Sequence, residues 1–278
     1  MGYRIICDSC TDLPKEYKKN EHFEFVPLSI HVDDYTIVDD DTFDQKDFLR
    51  RMAASPNCPK SSCPSPEDYM KHFGGEENIY VVTLSAKLSG SYNSAELAKN
   101  LYLEENPQKN IYVIDSRSAS VGQGLIALKI QELEEAGKGF EKVCVEAIKF
   151  RDEMGTKFVL ETLESLRKNG RLSNITAIIA SALNIKPVMT ATPEGEIDKK
   201  TQGRGMKKAL ALMAKAVKED AVDPENRTVG IAHCNNYERA LYMKELLLSE
   251  VKFKDVIIVD TAGISSLYAN DGGIIVCY

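Results

Sequence analysis

The sequence predicts an α/β protein built on a parallel sheet with helices covering both faces. Three observations carry this. Short apolar, β-branched runs alternate with helical stretches: Tyr3–Cys7, Tyr80–Leu84 and Asn110–Asp115 read as buried strands. Each of them ends in a hydroxyl-rich turn, at Asp8-Ser9-Cys10-Thr11-Asp12, at Ser85–Ser91 and at Ser116-Arg117-Ser118-Ala119-Ser120. Strand, tight turn and helix in that order is the βαβ crossover, which sets successive strands parallel and lines their turns along one sheet edge. Ligands of such sheets bind at the carboxyl ends of the strands.

In chain order, Tyr3–Cys7 is followed by Pro14, placed for the first turn of a helix. Phe23–Val38 alternates apolar and polar residues and reads as an extended hairpin turning at Asp33-Asp34. Asp39-Asp40-Asp41 reads as a solvated turn ahead of a helix at Asp44–Ala54, since nothing nearby completes a metal cage. Ser65, Pro66 and Asp68 have the form of a capping box, and the preceding prolines hold Ser61 and Ser62 extended. Within Val81–Ala95, Gly90 allows positive φ or close approach of a ligand, and Ser89 or Ser91 suits an N-cap. The free N–H groups and positive dipole end there favour a carboxylate or phosphate, although an ordinary serine-capped turn explains the same residues.

Helices are expected from Ser120 to about Glu135 and over Phe140–Glu153, with a domain boundary at Met154-Gly155. That divides the chain into 1–154 and 155–278. The second half reads as strands at Lys157–Leu160, Ile185–Met189, Thr228–Ala232, Asp255–Val259 and Gly273–Tyr278. Its helices are Thr162–Lys168, Asn174–Leu183, Ala209–Lys218 and Tyr237–Leu248, with turns at Gly170–Ser173, Pro193–Glu196 and Thr201–Lys208.

Composition narrows the function classes. The 278 residues suffice for one large or two modest domains, and 43% hydrophobic with 28% charged residues is a globular balance. A net charge of −7 leaves no electrostatic footprint for nucleic acid. No apolar run approaches the roughly 20 residues of a membrane span. Met1–Asp8 reads at once as a strand rather than a secretory leader, and position 6 lacks the Ser or Thr of a myristoylation signal, so a cytoplasmic location is expected. The seven cysteines are an odd set without a disulfide framework. Cys7-x-x-Cys10 with Cys58-x4-Cys63 makes a poor zinc set, because Cys7 belongs to a buried strand; the four histidines show no metal spacing, and no metal is expected.

Seven segments, taken in order, resemble the DegV family. They are Asp8-Ser9 with Asp12-Leu13-Pro14, Lys60–Asp68, Leu84-Ser85 with Leu88–Ala95, Asp115-Ser116, Leu163–Leu166 with Gly170–Ser173, Ile185-Lys186-Pro187, and Arg204 with Lys207-Lys208-Ala209. The resemblance implies a three-layer α/β/α N-terminal domain with a mainly parallel sheet, a smaller two-layer α/β C-terminal domain, and a long-chain fatty acid held in the cleft between them. It further implies a carrier without chemistry of its own, no cofactor, and a partner kinase that phosphorylates the presented carboxylate with ATP. Transient contact with a membrane surface suits such a carrier. The carboxylate contacts carried over fall on Ser61, with Ser62 beside it, and on the Ser89–Gly90–Ser91 turn. Many relatives carry a His before Gly-Pro-Gly near the C-terminus; here the region reads Ile264–Gly273 without histidine, leaving Ser266, Tyr268 or Asn270 to supply a neutral donor. Arg171 and Arg204 are the candidates for meeting the kinase or the phosphorylated product, since a guanidinium fork matches phosphate.

Two other readings compete. One is a sensor for another small carboxylate or phosphate in the same cleft. The other is a serine acyl hydrolase using Ser89, for which the G-x-S-x-G elbow is absent and His233 is the one base near a strand end.

Overall fold

The computed structural model describes residues 2–75, 78–172 and 184–278. The predicted helix Asn174–Leu183, together with Ser173, lies outside the described residues. The first half contributes strands β1 (Tyr3–Asp8), β2 (Phe23–Val26), β3 (Ser29–Val32), β4 (Tyr35–Val38), β5 (Lys60–Ser62), β6 (Asn78–Thr83) and β7 (Ile111–Asp115). Its helices are α1 (Gln45–Ala54), α2 (Pro66–Met70), α3 (Ser91–Glu105), α4 (Val121–Glu135) and α5 (Phe140–Glu153). The second half contributes β8 (Thr156–Val159), α6 (Glu164–Lys168), β9 (Ile185–Ala191), β10 (Ile197–Arg204), α7 (Met206–Asp220), β11 (Thr228–His233), α8 (Tyr237–Glu250), β12 (Asp255–Asp260), α9 (Gly263–Ala269) and β13 (Ile274–Cys277).

Four strands form a parallel sheet in the order β2-β1-β6-β7. Period-two alternation sorts their side chains to opposite faces. Ile5, Cys7, Tyr80 and Val82 meet α4 and α5, while Ile6, Ile79 and Val81 meet α2 and α3. Because β2 and β6 flank β1 on opposite sides, the crossover direction reverses there, and the ends of β1 and β6 form the switch point where α/β sheets take ligands. The second sheet is mixed, in the order β10-β9-β8-β13-β11-β12, with α7 and α8 packed on one face. A small antiparallel sheet, β4-β3-β5, covers part of the gap between the halves.

Helix α4 lies between the two large sheets. Ile126, Ala127 and Ile130 pack on the first sheet, whereas Val121 and Leu125 join Phe158, Met189, Ile275 and Cys277 of the second. Val121–Ala127 at its start are all buried and so carry no charge, while its later turns reach solvent at Glu132 and Glu135. The approach is close: a Cβ at Gly230 of β11 would lie 2.4 Å from Val121 Cγ2.

Several local expectations are corrected. Pro14 opens a 3₁₀ turn at Lys15–Lys19 instead of an α-helix. Phe23–Val26 joins the parallel sheet, so the hairpin is confined to β3 and β4, with Asp33 at φ 50° in its turn. Thr201–Arg204 extends β10 and α7 begins at Met206. The capping box at Ser65 is present with both reciprocal bonds. Among the described residues no helix is long and apolar enough to cross a membrane, and no group of His, Cys, Asp or Glu is arranged to hold a metal.

Gly230→Ala tests the α4 joint. Forcing a methyl against Val121 should cost about 1–3 kcal/mol in chemical denaturation; an unchanged midpoint would mean that α4 is free to shift.

Candidate functional site

The carboxyl ends of β1, β6 and β7 face the inner side of the second sheet, and an elongated cavity lies between them. The space is about 740 Å³, mouth included. Thr156, Phe158 and Leu160 point into it along β8 and its extension, while the intervening Lys157 and Val159 point back toward α7 and the C-terminus. Cys10, Leu84 and Leu88 line the opposite wall, with Arg117–Ser120 at the end of β7. Ile264, Ser265, Tyr268 and Ala269 of α9 close one side, and the turn between β9 and β10 closes one end through Gly195 and Glu196. Ser85 Oγ donates to the Gly195 carbonyl at 2.8 Å, fastening that turn to the first half.

The wall is oily because its hydroxyls are spent on hydrogen bonds within the protein. Ser118 Oγ bonds Thr156 Oγ1 at 2.7 Å, Ser120 donates to Asp12, and Ser265 donates to the Cys10 carbonyl at 3.3 Å. A surface of this kind accepts a hydrocarbon without leaving polar groups unpaired.

A polar cluster borders the cavity, with Arg171 and Tyr268 in its lining and Ser61 behind Tyr268. Ser61 Oγ lies 2.9 Å from Tyr268 Oη, and the Arg171 guanidinium sits 5.6 Å over the Tyr268 ring. Arg171 also donates from Nε to the Leu88 carbonyl at 3.1 Å and from Nη1 to the Asn169 carbonyl at 2.5 Å. Burial pushes the Tyr268 phenol above its ordinary value, and the Ser61 bond and Arg171 charge offset only part of this. Tyr268 is therefore a neutral donor.

The structure distributes the other predicted residues as follows. Ser62 faces away from Ser61 along β5, is exposed, and bonds His31 Nε2 at 3.2 Å. Ser89 is half-buried and its Oγ accepts from Ser91 N at 3.2 Å. Gly90, not a serine, is the N-cap of α3, and at φ −74° it does not use positive φ; its smallness matters because a Cβ would come within 3.0 Å of Cys63 Sγ. Ser91 is fully buried, donates to Asp8 Oδ2 at 2.5 Å and so accepts from Tyr69, 2.6 Å away. Ser266 points to Thr261 and Gln45, and Asn270, at φ 57°, bonds Ser165 and the Tyr268 carbonyl. Arg204 is exposed at the end of β10 opposite the cavity-lining Ile197. His233 is buried beside Asp260, 3.4 Å away, and no hydrogen bond among the described residues joins it to Ser89.

Sequence reasoning missed three carboxylates. Asp8, wholly buried, accepts from Leu84 N at 2.7 Å, Cys10 N at 3.2 Å and Gln123 Nε2 at 2.8 Å besides Ser91, tying the loops after β1 and β6 to α3 and α4. Asp12 and Asp39 bond the first N–H groups of α9. Asp39 is buried, not the solvated turn residue expected of Asp39-Asp40-Asp41.

The sequence model described as an uncharacterised protein of the DegV family matches residues 3–278. The chain belongs to the DegV family. A DegV domain-containing protein of Streptococcus pneumoniae is 36% identical over 100% of this chain and 99% of its own length. Among solved structures, a DegV family protein from Ruminococcus gnavus, refined with vaccenic acid, is 52% identical with a TM-score of 0.97 over 99% of both chains. The Streptococcus pneumoniae fatty acid kinase B3 protein, loaded with linoleic acid, is 35% identical with a TM-score of 0.91 over 100% of this chain and 99% of that one. A Eubacterium eligens DegV protein loaded with heptadecanoic acid is 29% identical at a TM-score of 0.91, each chain covered to 99%.

Ser91→Ala separates support from binding at the α3 turn. It removes one of the four donors to Asp8 and the Ser91 partner of Tyr69, and should cost about 1–3 kcal/mol of stability, read by thermal or chemical unfolding. An unaffected stability would show that the buried network carries no load.

Proposed function

We propose that this chain binds a long-chain fatty acid in the cavity between its halves and presents the carboxylate to a separate ATP-dependent kinase. One observation carries the reading: a largely apolar cavity bordered by a cluster of hydroxyls and a guanidinium, Ser61–Tyr268–Arg171. Bound fatty acids in the Ruminococcus gnavus, Eubacterium eligens and Streptococcus pneumoniae relatives support it. The partner kinase rests on the kinase designation of the last of these.

The energetics suit a carrier. Burying about ten methylenes contributes roughly 8 kcal/mol before the cost of association, so the head group needs no strong ion pair. Tyr268 and Ser61 offer neutral hydroxyl donors. Arg171 has committed Nε and Nη1 to backbone carbonyls, so it lends charge without gripping the carboxylate through both prongs of its fork. A carboxylate held in this way keeps the electron density it needs to attack a phosphoryl donor. In this reading Ser89 and Gly90 shape the mouth, Ser62 lies on its outer rim, and Ser91, Ser266 and Asn270 hold their elements in place. Arg204, exposed, is left for the partner. The protein acts in the cytoplasm, meets a membrane only in passing, and performs no chemistry alone.

Protein purified from a bacterial host should release long-chain fatty acids into an organic extract, identified by mass spectrometry at near one per chain. Tyr268→Phe and Ser61→Ala should each weaken binding about three- to tenfold, the worth of one hydrogen bond, in a fluorescent-acid displacement assay. Empty extracts together with no displacement by any acyl chain would refute the proposal.

A further inference from the structure

Two carboxylates from the first half hold the start of a helix from the second. Asp12 Oδ1 accepts from Ala262 N at 2.7 Å, and Asp39 accepts from Gly263 N at 2.6 Å and Ile264 N at 2.9 Å. These are N–H groups that a helix leaves unpaired at its start. Both acids are nearly inaccessible, at 2% and 3% exposure. The seat is tight, since a Cβ at Gly263 would lie 2.5 Å from Asp39 Oδ1. The helix they hold is α9, which brings Tyr268, Ile264 and Ala269 to the cavity. We propose that Asp12 and Asp39 are positioning residues for Tyr268, and that proton uptake by this pair accompanies closure of the two halves over the cavity.

Among the described residues no cation stands at contact distance from either acid. Around Asp12 stand Ser120 of α4, Ser265 of α9, Cys10 and Asp8 of the β1 loop, Cys277 of β13, and Asp39 itself. Around Asp39 stand Ser9 and, at longer range, Lys18, whose ammonium is bonded to Asp41 at 3.0 Å. Beyond Thr261, Asp260 is held by Gln45 and faces His233. Burial is the dominant influence on both acids: it pushes Asp12 up to about 7 and Asp39 up to about 6 against the pull of their hydrogen bonds. When the halves part, both groups return to water and to an ordinary carboxylate value near 3.9. Between about pH 4 and those raised values the closed form therefore binds more protons than the open one. Closure is favoured by acid and weakens from about pH 4 until the pH has passed those raised values, with no further change above.

Closure itself does not depend on the ligand, whereas its effect on retention rests on the fatty-acid reading. Two measurements separate them. Hydrogen exchange of the α9 amides, corrected for intrinsic rates, is followed at about pH 5.5 and pH 8. Release of preloaded cis-parinaric acid to phosphatidylcholine vesicles is timed at the same two values. The wild-type protein should lose protection severalfold between them and release the polyene severalfold faster at the higher pH. Asp12→Asn and Asp39→Asn should flatten both profiles. Gly263→Ala, which leaves both acids in place but presses on Asp39, should lower protection at both values. Protection independent of pH in the wild type, or an undiminished slope in folded Asn variants, overturns the proposal. Should the Asn variants not fold, the wild-type profile and Gly263→Ala decide it. The expected exchange behaviour in a protein that binds no polyene would refute the fatty-acid reading and leave the clamp standing.

Discussion

Burial of α4 against both sheets is the constraint from which the rest of the arrangement follows. The first two turns of α4, Val121–Ala127, are buried all round and need a packed surface on each side, which the two sheets provide. Once Val121 and Leu125 are seated on the second sheet, the carboxyl ends of β1, β6 and β7 are aimed at its inner face. The hydroxyl-rich turns that end those strands then converge on one cavity. Gly230 keeps that approach close, and the turn between β9 and β10 fastens the far end through Ser85.

Within this frame the division of labour among polar groups decides what the cavity can hold. Most hydroxyls near the wall pair with each other or with buried carboxylates, leaving an oily surface. The exception is the cluster of Ser61 and Tyr268 under Arg171, where hydroxyl groups and a half-exposed guanidinium meet. Under the proposed function, hydrocarbon length would supply the affinity and neutral donors the orientation.

Much of the fold was legible because local signals agreed with the tertiary outcome. The alternation of β1, β6 and β7, the capping box at Ser65 and the span of α5 all follow from nearest-neighbour chemistry. Of the polar cluster beside the cavity, the sequence singled out Ser61, now in β5, as a carboxylate contact and Arg171 as a contact for the kinase or phosphorylated product. Helix α9 was not, since Gly263-Ile264-Ser265-Ser266-Leu267-Tyr268 contains glycine, serines and a β-branched residue that seldom build a helix alone. Its caps come from Asp12 and Asp39, more than 200 positions away in the chain. For the same reason Asp39 looked like part of a wet acidic turn. Choosing Tyr268 over Ser266 and Asn270 as the cavity-facing donor requires knowing which face α9 turns inward, and distant packing sets that. Gly90 does not take the positive φ that was one of its two expected uses, and a Cβ there would sit 3.0 Å from Cys63 Sγ.

The most direct test of the account is carbon-13 NMR of carboxyl-labelled palmitate bound to the protein. The account predicts one bound resonance whose shift moves in Ser61→Ala and in Tyr268→Phe but stays in place in Ser266→Ala. A bound resonance indifferent to Ser61 and Tyr268 would contradict it.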